Sequence, residues 1–191
     1  MKGTFVSQCL TYQQVKIEHH KPNGTFQPLP IPIWKWDDIT MNFMTGLPQS
    51  PKGNNDILVV VDELTKSAHF LAFKICQSLK ILAKLYMDEI AILHGIPATI
   101  TTYRDIRYTS HFCDSLQRTL GSKLQFSTSF HPQTDKQSER TIQTLENMLR
   151  TYVMDLKGSW EDHLPLIEFI YNNIYHSSIK MPPYEALYRR K

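Results

Sequence analysis

The chain has 191 residues, of which 41% are hydrophobic, and this is enough for one compact domain with a sizeable core plus a short appendage. Its formal net charge of +3 is mildly basic, so the composition permits a nucleic-acid partner without requiring one. We expect neither membrane insertion nor secretion, because no apolar run approaches about 18 residues and the N-terminus has no signal-peptide pattern.

Residues 1–33 differ in character from the rest of the chain. Prolines at positions 22, 28, 30 and 32 exclude regular helix there and favour an extended linker. Cys9, His19 and His20 offer three zinc ligands, but the position three residues after Cys9 is Tyr12 and not a second cysteine. We therefore expect a leader without an intact zinc site. The odd, widely spaced cysteines imply no disulfide framework, which is typical of the cytosol or nucleus.

A folded domain is predicted from residue 34 to residue 191. Its first part contains three strands joined by short loops: Trp36–Leu47, Asp56–Asp62 with the buried run ILVVV, and Ala68–Ile75. Short connections between successive strands favour an antiparallel meander.

Helices and strands then alternate. The spacing of apolar residues predicts a helix from Ser78 to Gly95 and another from Ser110 or His111 to Gly121. Strands are predicted at Ala98–Tyr103 and Lys123–Phe126, and a last helix at Trp160–Tyr175.

The segment Phe130–Arg150 is a polar, Pro-containing loop that leads into a helix with Glu139 in its first turn. At about 100° per residue, one side of this helix is polar and the other is an apolar stripe that requires a core. The stripe consists of Ile142, Leu145, Leu149 and Val153.

The predicted order is βββαβαβαα, which indicates an α/β protein with a mixed five-stranded sheet flanked by helices. This is the plan of the ribonuclease H-like fold. In that plan the first strand, the end of the fourth strand and the start of the helix after the fifth strand converge. Three carboxylates at these places would hold two Mg²⁺ or Mn²⁺ ions for phosphodiester chemistry.

Several segments in order resemble the integrase core of gypsy-type LTR retrotransposons, which are abundant in plants. They are TMNFMTGLP, LVVVDELTKSAHF, LHGIPATI, RYTSHF, the run from Ser127 to Glu146, GSWEDHLPLIEFIYNNIYHSSI and PPYEALY. The resemblance covers nearly the whole chain. It implies DNA integration by 3′-end processing and strand transfer, Mg²⁺ or Mn²⁺ as cofactor, DNA and further copies of the chain as partners, and a nuclear location. It also makes CLTYQQVK the end of a zinc-binding module, with Cys9 as a vestigial ligand.

The family's Asp-Asp-Glu triad carries over to Asn42, Tyr103 and Glu139, so only Glu139 retains its carboxylate. An amide oxygen is a weak ligand and a tyrosine is neutral near pH 7, so we expect little or no strand transfer. Asp105, two residues after Tyr103, is the candidate substitute. Asp38 is about 13 Å from Asn42 at strand rise, and Asp62 is expected to be structural.

The candidate DNA contacts are basic and polar residues near the start of the Glu139 helix, where free N–H groups suit phosphate. They are Lys136, Gln137, Ser138 and Arg140, with Arg104, Arg107, Lys66 and Lys74 as further basic candidates. Two alternatives remain open beside an impaired integrase: a noncatalytic protein that binds nucleic acid or assembles through this fold, and a non-functional retroelement fragment.

Overall fold

The sheet is the centre of the molecule. The structure is a computed structural model that describes residues 32–74, 79–102, 116, 118, 125–128, 132–155 and 158–190. Within these ranges five strands form one sheet in the order β3-β2-β1-β4-β5. The strands are β1 (Asp38–Met44), β2 (Asp56–Asp62), β3 (Ala68–Phe73), β4 (Thr99–Thr102) and β5 (Gln125–Thr128).

The strand directions confirm the predicted mixed sheet. β1 and β2 pair antiparallel, as do β2 and β3, and residues 45–55 and 63–67 join them as a meander. β4 pairs parallel with β1, and β5 pairs parallel with β4. β2 has the predicted bounds, whereas β5 lies two residues later than predicted.

Helices cover the sheet. They are α1 (Leu79–Tyr86), a π-helical segment (Met87–Ala91), α2 (Ile92–His94), α3 (Pro132–Asp155), α4 (Trp160–Asn173) and α5 (Pro183–Tyr188). The predicted helix end at Gly95 is confirmed, since this glycine adopts a φ of 88°. The predicted helix before β5 is described only at Leu116 and Arg118, and Leu116 is fully buried. No helix within the described ranges is both long enough and apolar enough to cross a membrane.

The alternation of side chains along β1 and β2 produces two cores, one on each face of the sheet. One face carries Ile39 and Met41, which pack with Tyr86 and Ile90 from the first helical region. The opposite face packs against α3 and α4. Its members are Met44, Ile57, Val59, Val61, Ala68, Phe70, Leu145, Leu149, Trp160, Leu164, Ile167 and Tyr171.

α3 begins earlier than the sequence predicted. Its first residue is Pro132, and proline is favoured at that position because it has no N–H to leave unpaired and its φ suits a helix. Glu139 therefore lies two turns into the helix, and the prediction that it lies in the first turn was wrong. The predicted apolar stripe is confirmed for Ile142, Leu145 and Leu149, which are all buried.

The start of α4 is fixed by a capping box. The Ser159 side chain accepts a hydrogen bond from the backbone of the first turn, and Asp162 Oδ2 accepts one from Ser159 N at 3.2 Å. We expect Ser159→Ala to lower the free energy of unfolding by about 1 kcal/mol in urea denaturation, because helix N–H groups lose their acceptor. Ser159→Thr is the control, since it keeps the hydroxyl. An equal loss in both variants would contradict the role of the cap.

Side chains of α4 occupy the outer edge of the sheet. Asn172 pairs with both backbone groups of Ala68, accepting from its N–H at 2.9 Å and donating to its carbonyl at 2.9 Å. Glu168 Oε2 accepts from the N–H of Phe70 at 2.7 Å. Three outward backbone groups of β3 therefore have partners, although no further strand lies beside β3 among the described residues.

A histidine pair links this edge to α2. His69 Nδ1 lies 2.9 Å from Glu168 Oε1, and His69 Nε2 lies 2.9 Å from His94 Nε2. The His94 ring stacks on Trp36 with ring centroids 3.8 Å apart. Burial, together with the neighbouring His69, lowers the pKa of His94 to about 4.

Lowering the pH should therefore reduce the free energy of unfolding through the protonation of His94. The pKa of His94 is 6.5 in the unfolded chain and about 4 in the folded chain. Between these pH values the unfolded chain therefore binds a proton at His94 that the folded chain does not bind. The free energy of unfolding should fall by about 1–2 kcal/mol across this window, allowing for solvent screening of the half-exposed ring. Urea denaturation at several pH values would measure it. The control is His94→Phe, which keeps a ring beside Trp36 but cannot titrate, and equal pH dependence in both chains would contradict the assignment.

Candidate functional site

Asn42, the residue predicted to stand at the first triad position, lies in β1. Its partner in the antiparallel register is Val59, and opposite residues of such a pair share a face of the sheet. Val59 belongs to the core beneath α3 and α4, so Asn42 faces the side of the sheet on which α3 packs. Asn42 is 3% exposed. A neutral amide is buried at a lower cost than a carboxylate, which needs charged partners or several hydrogen-bond donors when it is buried.

The register also fixes the relation between β1 and the second triad position. Met41 pairs with Thr102, the last residue of β4, and Tyr103 follows Thr102 directly in the sequence. Tyr103, Arg104 and Asp105 lie outside the described residues, so the predicted substitution by Asp105 remains a prediction.

The third triad position is in α3. The backbone of Glu139 is helical, while its side chain lies outside the described part of the structure. Of the three triad side chains only that of Asn42 is described, and its buried amide does not fit the divalent-ion site that the resemblance implies. Within the described ranges no group of three His, Cys, Asp or Glu side chains is arranged to hold a metal ion. Cys9 is likewise outside the described residues.

The structural role predicted for Asp62 is confirmed. Its buried carboxylate accepts hydrogen bonds from the backbone N–H of Trp36 at 3.0 Å, Leu64 at 3.2 Å and Thr65 at 3.0 Å. The Thr65 hydroxyl donates a fourth at 2.5 Å. These bonds hold the turn between β2 and β3 and leave the carboxylate no free position for a metal ion.

Asp38 is also engaged within the fold. The Thr99 hydroxyl donates to its carboxylate across the β1–β4 pair. This contact joins the first residues of the two strands, four residues away from Asn42 along β1.

The predicted DNA contacts need one correction. Lys136, Gln137 and Ser138 lie inside α3, because the helix begins at Pro132 and its unpaired N–H groups belong to the first turn. The argument from a helix N-terminus therefore does not apply to them, and their side chains lie outside the described part. Arg140 is described and exposed.

Arg140 lines a pocket of about 440 Å³ that is formed by the sheet, the middle of α3 and the end of α4. Its floor comes from β1, β2 and the turn that follows, and its walls from α3, the end of α4 and the segment after it. The lining residues are Thr40, Val61, Glu63, Lys66, Arg140, Thr141, Thr144, Met148, Tyr171, Ile174, Tyr175, His176, Ser177 and Ser178.

The pocket is electropositive. Glu63 accepts a hydrogen bond from the Thr40 hydroxyl and forms a 2.7 Å ion pair with Lys66. Burial lowers the pKa of His176, and the positive charges of Lys66 and Arg140 lower it further. A neutral His176 hydrogen-bonds through Nδ1 to the Ser178 hydroxyl at 2.9 Å. The pocket therefore offers two cations and several hydroxyl groups around one paired carboxylate.

Sequence reasoning identified Arg140 and Lys66 but not the pocket. Thr40, Glu63, Tyr171 and His176 come from separate parts of the chain and form no linear motif. The one available signal was the match of KSAHF and NNIYHSSI to family segments, and that match assigns no pocket.

The fold is that of an integrase catalytic core. A chain of the simian T-cell lymphotropic virus intasome in complex with PP2A regulatory subunit B56 gamma aligns over 98% of this chain and 66% of its own length, with a TM-score of 0.64 and 16% identity. The HTLV-2 integrase catalytic core domain, solved in complex with magnesium in a trimeric form, aligns over 81% of this chain and 97% of its own, with a TM-score of 0.60 and 14% identity.

In sequence, the chain is similar to one segment of the Transposon Tf2-3 polyprotein of Schizosaccharomyces pombe. The two are 34% identical over 185 residues, which is 97% of this chain and 14% of the polyprotein. The chain thus spans about one seventh of the length of the curated relatives it matches. No protein-family model matches the chain.

Proposed function

We propose that this chain is the integrase core of a gypsy-type LTR retrotransposon, with residues 34–191 as the core and residues 1–33 as a zinc-module remnant and linker. Two observations support the assignment: the similarity to a transposon polyprotein along nearly the whole chain and the integrase-core fold. The family role is DNA integration in the nucleus. The chain would act on DNA as an assembly of several copies; the HTLV-2 integrase catalytic core domain was solved in a trimeric form.

The chain binds DNA but joins it poorly or not at all. The observation that carries this is Asn42, a buried neutral amide where the family has a metal-binding carboxylate. In the family, the three triad carboxylates would hold Mg²⁺ or Mn²⁺, and these ions would supply Lewis-acid and charge stabilisation for phosphodiester chemistry. With Tyr103 as the second replacement, Glu139 alone cannot offset the charge of two divalent ions.

The chain's own residues retain the means to hold DNA. Arg140 and Lys66 supply positive charge beside α3, and Lys136, Gln137, Ser138 and Arg104 are further proposed contacts. Such contacts position the phosphate backbone without reading its sequence. A noncatalytic nucleic-acid-binding or assembly protein is the second candidate, and the buried amide at Asn42 favours it equally.

Two measurements on the same preparation test the proposal. Binding to linear duplex DNA should weaken steeply with salt, with a logarithmic slope of about −0.9 for each phosphate contact. Strand transfer with Mg²⁺ or Mn²⁺ should remain at background. No DNA binding at low salt would overturn the nucleic-acid function, and strand transfer well above background would overturn the impairment.

A further inference from the structure

The pocket beside Arg140 has the dimensions of a ligand site and not of a phosphate contact alone. Its volume of about 440 Å³ lies in the range of small-molecule sites, and a single phosphate would fill only part of it. A DNA duplex is too wide to enter a concavity of this size, whereas one unpaired nucleotide is not.

Charged and hydroxyl side chains line part of the pocket. Lys66 and Arg140 approach His176 closely enough for both charges to lower its pKa. Glu63, the one carboxylate among the described lining residues, is already paired with Lys66. An entering phosphate would therefore meet a net positive charge together with the hydroxyls of Ser177 and Ser178.

Apolar and aromatic side chains also line the pocket. Met148 is partly buried, Ile174 is 49% exposed and Tyr175 is 62% exposed, and all three line the pocket. Tyr171 is buried behind them, and its hydroxyl lies 3.4 Å from that of Thr141. An exposed aromatic ring beside a cationic end is the arrangement by which proteins hold single-stranded nucleic acids, with the base against the ring and the phosphate on the cations.

We propose that this pocket binds one unpaired nucleotide of a DNA strand, with its phosphate between Lys66 and Arg140 and its base against Tyr175. The inference rests on the proposed DNA-binding function and adds a specific site to it. Arg140 directly follows Glu139 in α3, so the bound nucleotide would lie beside the third triad position. The preference is for a single strand over a duplex.

Fluorescence anisotropy of a short labelled oligothymidylate with the whole chain tests the site. Arg140→Ala should weaken binding about tenfold or more, because a charged hydrogen bond to phosphate is lost. Arg150→Ala is the matched control, since Arg150 is exposed on the same helix but does not line the pocket, and it should change binding less than about twofold. Tyr175→Ala should weaken binding about fivefold or more through lost stacking.

Competition separates the possible ligands. Thymidine monophosphate should displace the oligothymidylate at concentrations where inorganic phosphate does not. Equal displacement by inorganic phosphate would reduce the pocket to a simple anion site and overturn the proposal. Equal effects of Arg140→Ala and Arg150→Ala, with duplex DNA still bound, would overturn the pocket and leave the proposed function intact. A chain that binds no nucleic acid in any form would overturn both.

Discussion

The double substitution Asn42→Asp and Tyr103→Asp is expected to raise Mg²⁺- or Mn²⁺-dependent strand transfer at least about 10²-fold over the unaltered chain. Removing one preorganised stabilising group typically costs about 10²–10³ in rate, and this chain has lost two. The strand register supports the design, since β1 and β4 run parallel and pair from Asp38–Thr99 to Met41–Thr102. Asn42 directly follows Met41 in β1, and Tyr103 directly follows Thr102 in the sequence.

The measurement is single-turnover joining of a labelled 3′ end to target DNA, with the two chains at equal concentration. Adding Glu139→Gln to the double variant should return the rate to background, because the third ligand is then missing. If the unaltered chain joins DNA as fast as the double variant, Asn42 and Tyr103 do not impair the site.

Because position 42 is buried, protein stability provides a second measurement of the Asn42→Asp substitution. Asn42→Asp alone places a carboxylate at a position that is 3% exposed, so this variant should be less stable than the unaltered chain without metal. In the double variant Mg²⁺ should restore stability, because an ion that binds only the folded state raises its free energy of unfolding. The melting temperature with and without Mg²⁺ measures this, and the unaltered chain should show no such dependence.

Asp62→Ala is expected to lower the free energy of unfolding by about 3–5 kcal/mol. The buried carboxylate accepts four hydrogen bonds, three from backbone N–H groups and one from the Thr65 hydroxyl. Removing it leaves buried donors without an acceptor, and such losses approach those measured for broken buried charge networks. Because Trp36 is one of the donors, the segment before β1 should loosen together with the β2–β3 turn.

Urea denaturation measures the loss. Asp88→Ala is the matched control, since this aspartate is exposed in the π-helical segment and its removal should change stability by less than about 0.5 kcal/mol. A loss below about 1 kcal/mol for Asp62→Ala would show that the four hydrogen bonds do not hold the turn.

The fold was predictable where apolar residues are dense. The run ILVVV gave β2 its observed bounds, because a strand covered on both faces is apolar at every position. β5 was displaced by two residues, since its residues Gln125, Ser127 and Thr128 carry no apolar signal and its pairing with β4 decides its bounds. The start of α3 was missed for a similar reason. The polar segment from Pro132 to Ser138 resembles a loop, and its helical state depends on the rest of α3.

The candidate site could also be predicted only in part. The triad positions were predicted from linear motifs, and the assignment to Asn42, Tyr103 and Glu139 remains a prediction. The structural role of Asp62 was inferred correctly from the resemblance, and three of its four hydrogen bonds come from its own turn. The pocket could not be inferred, because it brings together the end of β2, one face of α3 and the residues after α4, whose proximity only the packed fold determines.

The side chains of α4 that bind the outer edge of β3 also limit how copies of this chain can associate. An open strand edge normally invites a strand from a neighbouring molecule, which leads to extended sheets, swapped dimers and fibres. Here the Asn172 side chain forms hydrogen bonds with both backbone groups of Ala68, as a neighbouring strand would. The Glu168 carboxylate accepts a hydrogen bond from the N–H of Phe70. Self-association through this edge would first have to displace α4 from the sheet. Multimers of this chain should therefore form without the addition of a strand at β3.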